Sequence, residues 1–472
     1  MCLPSKVQGY TVQKLAVLVG NLLNWNLGLT LGITPSHTRL YESVESTPLR
    51  RAITSDESTW MTGSLFLSAA IGSLVLGLVS AKIGPKSAML LSGLLQMASW
   101  FCVHFAYDIL HIYSSRIFAG IAAGAAITIL PLYIDEIGQT TNSKASLTIS
   151  IECWRAFGIL IGVTLAPYLQ YEYIPIIGIL ASLAFSMVFP FVQESPYYFL
   201  RKGNTSSFEK SLRWFRGIRS LEDRQSAEFE QELTQIKNGA GADTIQVNRI
   251  CSLNSQSVCS PMGIFFLAVG SQLGGILVVL QLFTFSLQLP KLSTDDGIIV
   301  IAITYFIGTL IAMGISSSNR RVLLFVTSLG SALGFLASSL VLTYGRRWDI
   351  DEDVIPWIAS LLLAVHSLLA SVGFVSFSTT VVMENIPKRL QNKLLSLIHC
   401  ITWLTVFLVI QYYAQIVSRT SLAGLLLLLA IACAHISACS PFLYSGKIYS
   451  KEIKLKVNGQ SMSNGNFTNT QI

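Results

Sequence analysis

Charge is scarce in this chain. Only 12% of its 472 residues are Asp, Glu, Lys or Arg, about half of the roughly 25% usual in soluble domains. Hydrophobic residues make up 52%, and mean hydropathy is +0.57. A water-soluble globule is excluded, because most side chains must face lipid or one another. Cysteine is sparse too. The eight residues (Cys2, Cys102, Cys153, Cys251, Cys259, Cys400, Cys433 and Cys439) fall at neither metal nor disulfide spacing, so they read as small packing groups. The sequence has no phosphate-binding Gly-Lys loop and no nucleophile elbow. His104, His366, His399 and His435 have no partners at metal spacing. Nothing therefore supports enzyme activity, a metal or a cofactor. The first apolar run is as long as a span and lacks a small-residue cleavage site, so it reads as a span rather than a signal peptide.

What the chain has is apolar runs of about 20 residues, each long enough to cross a bilayer as a helix. Backbone in lipid must bond internally, and barrel strands would be shorter and alternating. The runs predict an all-α membrane protein with twelve transmembrane helices in two six-helix bundles. The spans fall near 12–33, 60–81, 87–107, 111–133, 147–168, 173–192, 262–285, 298–315, 322–343, 355–380, 395–416 and 421–443. The expected parts are a bundle over 1–193, a polar connector over 194–260, a second bundle over 261–445 and a polar, disordered tail over 446–472. Within the connector, residues 208–217 show apolar positions at helical spacing among mixed charges and predict a short amphipathic helix. Of 32 Lys and Arg residues, 23 fall in segments on the connector's side. That bias predicts cytosolic termini. It also accounts for the net charge of +7 without a nucleic-acid partner; the partner implied is the bilayer.

Two signatures lie in the first half. Arg116, Gly120, Gly124, Pro131, Tyr133 and Glu136 follow the pattern Gly-Arg-x3-Gly-x-Gly-x-Gly, then Pro-x-Tyr-x2-Glu. Glu194-Ser195-Pro196-Tyr197-Tyr198-Phe199-Leu200-Arg201-Lys202-Gly203 is similar to Pro-Glu-Ser-Pro-Arg-Trp-Leu with a Gly beyond. On these residues the chain resembles the sugar-porter branch of the major facilitator superfamily, nearest to the insect facilitated trehalose transporters. Short loops after the second and eighth spans resemble one another. Gly77-x3-Ala81-Lys82-Ile83-Gly84-Pro85-Lys86 and Ser316-x2-Asn319-Arg320-Arg321 keep the basic ends of the family loop but carry Ala81 and Ser316 where it has an acid.

The resemblance implies site residues. Glu152 stands where the family has a sugar-binding Gln, with Arg155 three residues on as a local counter-ion. Gln272 is retained from the seventh-span amides, while Ser271 and Leu277 replace two others, and Gln281 lies one turn beyond. Asn26 falls where facilitative members carry Asn and proton-coupled ones Asp. In the tenth span the family prolines and Trp are absent, leaving Phe374 or Phe377 as aromatic faces. Asn26, Glu152, Gln272 and Gln281 would line the cargo site. Lys86, Lys144, Arg320 and Arg321 would pair with Glu136, Glu194 and Glu384 when the inner side is closed, and Arg116 would pack the outer face.

The activity implied is facilitated diffusion of a hexose, a trehalose-like disaccharide or a polyol across the plasma membrane, by alternating access. Two rival readings stand beside it. One is a non-transporting sensor or scaffold that kept the fold, suggested by the missing loop acids and prolines. The other is a proton-coupled carrier of another small solute that uses Glu152. The oligomeric state is not readable from the sequence.

Overall fold

The computed structural model describes residues 5–218, 229–234, 236, 259–275, 279–280, 294–316, 319–386 and 388–442. Among these, all regular structure is helical. The first half comprises α1 (Ser5–Glu42), α2 (Ser55–Ile83), α3 (Pro85–His104), α4 (Ile109–Ile137), α5 (Thr141–Leu165) and α6 (Tyr173–Val188). The connector opens with α7 (Pro196–Arg201) and α8 (Thr205–Arg216). The second half comprises α9 (Cys259–Leu273), α10 (Thr294–Gly314), α11 (Arg320–Tyr344), α12 (Ile355–Ala370), α13 (Ser376–Asn385), α14 (Lys388–Gln411) and α15 (Tyr413–Cys439). Among the described residues, eleven helical segments are long and apolar enough to span a membrane, and a shorter apolar helix covers Gly263–Leu273. The rest of the expected seventh span lies largely outside the described residues.

Local chemistry sets the boundaries. Thr54 and Glu57 form a capping box at the start of α2, satisfying two orphan donors reciprocally. Gly84, at φ 99, separates α2 from α3, which opens on Pro85, a residue suited to a first turn because it lacks an N–H. α1 runs past the expected end at residue 33 to Glu42. Thr34, His37, Thr38 and Tyr41 there are polar yet buried. Hydropathy marks where lipid exposure stops, and this segment faces protein instead.

Each half packs mainly on itself: α1 on α5, α2 on α4 and α3 on α6, then α11 on α12 and α15. In the first half backbones approach closely through glycine. A Cβ on Gly124 would lie 1.9 Å from the Ala69 carbonyl oxygen, and one on Gly28 would lie 2.1 Å from that of Arg155. Small residues at such crossings are how membrane helices gain packing energy when lipid removes the hydrophobic drive. In the second half α12 and α13 are separated by a wide π-type turn at Ser371–Val375, with Gly373 outside helical geometry (φ −114, ψ −106). The helix break that prolines make elsewhere thus persists here at a glycine pressed against Thr327, and Ser376 Oγ donates to the freed Ser371 carbonyl.

The halves meet along two seams, α2 with α14 and α5 with α10. On the first, Trp60 packs on Phe407 at 6.2 Å and Phe66 stacks on Trp403 at 5.8 Å. Further toward the connector's face, Asn392 Nδ2 reaches Ser80 Oγ at 3.5 Å. On the second, Phe157 meets Phe306 at 5.6 Å.

Candidate functional site

At the middle of the α5–α10 seam stands a buried polar cluster. α5 carries Glu152 and Arg155 on one face, three residues apart, which is the spacing of helical neighbours. Both are buried, Arg155 to 2% exposure. The Arg155 Nη2 donates to Glu152 Oε2 and lies 3.3 Å from the Tyr305 hydroxyl of α10. Tyr305 also donates to Glu152 Oε2 at 3.4 Å. Nε and Nη1 of Arg155 have no partner among the described residues. A second polar contact between the halves joins Thr128 of α4 to His399 of α14 at 3.1 Å. Together these contacts join α4 and α5 of one half to α10 and α14 of the other. Charge in lipid is costly, by about 2.5–3.5 kcal/mol per group on insertion scales, and intramembrane ionisable groups usually mark a pathway.

The helix behind the cluster is held firmly. Gly28 lets α1 touch the Arg155 backbone, and Asn21 Nδ2 donates to Ser150 Oγ at 2.9 Å. Asn26 sits apart from the cluster. Its Oδ1 accepts from Trp100 Nε1 at 2.9 Å and its Nδ2 donates to the Leu22 carbonyl at 3.1 Å, so its amide joins α1 to α3. Gln272 is half-buried in the last turn of α9. Gln281 lies outside the described residues. Phe374 and Phe377 are fully buried, Phe374 against Gly274. His366 has Nδ1 3.2 Å from the Ser331 carbonyl and Nε2 2.9 Å from the Gly274 carbonyl, which makes it a packing bridge from α12 to α11 and α9.

The two sequence signatures bond to each other on the connector's face. Tyr133 donates to the Gln193 carbonyl at 2.6 Å, Ser195 Oγ to Glu136, and Arg201 pairs with Glu136 at 2.6 Å. Glu194 accepts from the backbone N–H groups of Lys86 at 3.0 Å and Ser195 at 2.9 Å, capping the start of α3. Burial raises its carboxyl pKa above the usual range, and those backbone bonds oppose the rise. Lys86 Nζ turns to the Pro190 carbonyl at 2.6 Å. In the second half Arg320 pairs with Glu384, and Arg321 is half-buried beside it. All of these contacts stay within one half.

A cross-half ion pair lies elsewhere. Asp135 of α4 pairs with Lys388 at the start of α14 and with Lys144 of α5 at 3.0 Å. Sequence reasoning settled on Glu136 and passed over Asp135; the doubled acid at that helix end was the available signal. Arg116 packs the opposite end of α4. It is buried, and its Nη1 donates to Thr34 Oγ1 at 3.1 Å. A cavity of about 10 Å³, room for about one water, is lined there by Thr34, Thr62, Arg116 and Leu280 among others.

The family model described as "Sugar (and other) transporter" matches residues 12–444. The facilitated trehalose transporter Tret1 of Bombyx mori is 25% identical over 423 residues, covering 89% of this chain and 80% of its own length. The protein of the same description from Apis mellifera ligustica is 26% identical, covering 92% and 86%. Among solved structures, the proton:xylose symporter XylE bound to 6-bromo-6-deoxy-D-glucose superposes with a TM-score of 0.73 at 16% identity, covering 92% of this chain and 95% of that one. An inward-open XylE from E. coli gives 0.64, covering 93% and 96%. These structures share the major facilitator fold. The chain is therefore a divergent member of the sugar transporter family, a multi-pass membrane carrier rather than an enzyme.

Proposed function

We propose that the protein moves a sugar or related polyol by facilitated diffusion, with its cargo site at the Glu152–Arg155–Tyr305 cluster. The observation that carries this reading is that one buried polar cluster is built from both halves. A rocking carrier must hold its cargo where both halves touch it, since binding has to bias which face is open. Trehalose and xylose are the sugars named for proteins that this chain is similar to, which supports a sugar cargo. The basic residues on the connector's face support an orientation with both termini in the cytosol, and the membrane proposed is the plasma membrane. The Asp135–Lys388 pair gives that face a latch between the halves despite the lost loop acids, which favours a moving carrier over an immobile sensor. Glu152 holds Arg155 as its counter-ion, which favours uniport over proton coupling.

The test is counterflow in proteoliposomes preloaded with unlabelled glucose, xylose, trehalose or inositol. Saturable, trans-stimulated entry of one labelled sugar without a pH gradient is expected. Entry that requires an acidic outside would replace facilitated diffusion with proton coupling.

A further inference from the structure

The Arg155 guanidinium offers five N–H donors in a plane, and Nη2 alone is spent on Glu152 and Tyr305. Nε and Nη1 are buried without a partner among the described residues. Buried donors are ordinarily bonded, and one left unbonded calls for an explanation. We propose that Arg155 binds the cargo's oxygens through Nε and Nη1, while Glu152 neutralises it, so that the pair selects uncharged sugars and rejects sugar acids.

The charge balance carries the selectivity. Glu152 and Arg155 sum to zero, and the group that contacts them from the other half is a hydroxyl, that of Tyr305 on α10. A cargo carboxylate would place a second anion beside Glu152 in a low-dielectric interior, where like charges repel strongly. A sugar hydroxyl accepts from Arg155 and donates to Glu152 with no net charge to bury. Gly28 matters here because it lets α1 brace the Arg155 backbone, so the guanidinium is positioned before cargo arrives.

This inference rests on the sugar-carrier reading, and its test separates the two. Full-length protein in proteoliposomes would be assayed for uptake of D-glucose, trehalose, inositol and D-glucuronate, as wild type, Arg155→Lys and Glu152→Gln. Wild type should carry a neutral member at least tenfold better than glucuronate. Arg155→Lys keeps the ion pair but loses the planar donor set, and should raise KM for the neutral cargo at least tenfold with an unchanged melting temperature. Glu152→Gln leaves one net positive charge and should shift the neutral-to-acid preference at least tenfold toward glucuronate. If Glu152→Gln does not fold, the Arg155→Lys result decides. Wild type that carries glucuronate as well as glucose, or Arg155→Lys with a wild-type KM, would overturn the proposal while leaving the carrier reading intact. Folded wild type that carries no panel member would overturn the carrier reading itself.

Discussion

In the first half of the chain, charged side chains reach the middle of the protein; in the second, the described groups at that depth are hydroxyls and imidazoles. Glu152 and Arg155 are met from across the seam by Tyr305, and Thr128 is met by His399. The halves also differ in packing. The first is locked by backbone contact at Gly28 and Gly124 and by the bonds between its two signatures. The second is interrupted at Ser371–Val375. The first half is thus a closely packed frame that carries the buried charges, and the second contains the helix break.

The sharpest way to break this comparison is to disturb the frame. Gly124→Val would drive a side chain into the Ala69 carbonyl. Its cost is expected above about 3 kcal/mol, at or beyond the usual range for overpacking. Gly314→Ala, at a second-half glycine with open space around it, should cost less than about 0.5 kcal/mol. Thermal melts followed by size-exclusion would show the contrast, and equal losses would remove the distinction.

Next in size is the buried pair. Arg155→Met leaves the Glu152 carboxylate uncompensated and is expected to cost about 3–5 kcal/mol. Adding Glu152→Gln should recover most of that loss, because the pair's attraction largely offsets its desolvation rather than adding stability. A double-mutant cycle on melting temperature reads the coupling.

The latch comes third. Lys388 is 43% exposed in its pair with Asp135, and exposed pairs contribute about 0–1 kcal/mol. Lys388→Ala should therefore shift the open-to-closed ratio of the connector's face by no more than about fivefold, the equivalent of about 1 kcal/mol. Spin-label distances across that face would measure it, and Lys388→Arg, which keeps the charge opposite Asp135, should leave the ratio near wild type.

The smallest effect is a pH slope. Burial raises the Glu194 pKa in the folded state, so folding favours its protonated form. Its contribution is present below the unfolded carboxyl range and is lost as pH rises through the raised folded value. Melting temperatures taken upward from about pH 4.5 should fall more steeply for wild type than for Glu194→Gln. Parallel curves would mean that the backbone bonds cancel the burial.

Much of the fold was legible because lipid imposes a simple rule on sequence. Apolar runs gave the spans, and the polar stretch between them gave the division into halves. α1 outran its hydropathy because Thr34, His37 and Tyr41 face protein, and hydropathy does not register that. The site was half legible. Glu152 and Arg155 stood out as charges inside a span, and the resemblance drew the eye to the first. Tyr305 is an ordinary residue for a span, and only the seam makes it a partner of that pair. Lys388 and Asp135 are 253 positions apart, and each lies beside a more familiar residue. The signature glycines were read as family marks, whereas their physical role is close helix crossing. The tenth span lacks the family prolines, yet a glycine makes a break there.

The central claim is that cargo is held where Glu152 and Arg155 meet the second half. Its most direct test is time-resolved uptake of labelled glucose and trehalose into proteoliposomes by wild type and Glu152→Ala, with Gly314→Ala, at a glycine with open space around it, as the control. Saturable uptake by wild type and Gly314→Ala, lost in a folded Glu152→Ala, is the predicted result. Saturable uptake that survives Glu152→Ala unchanged would contradict the account and move the cargo site elsewhere in the carrier.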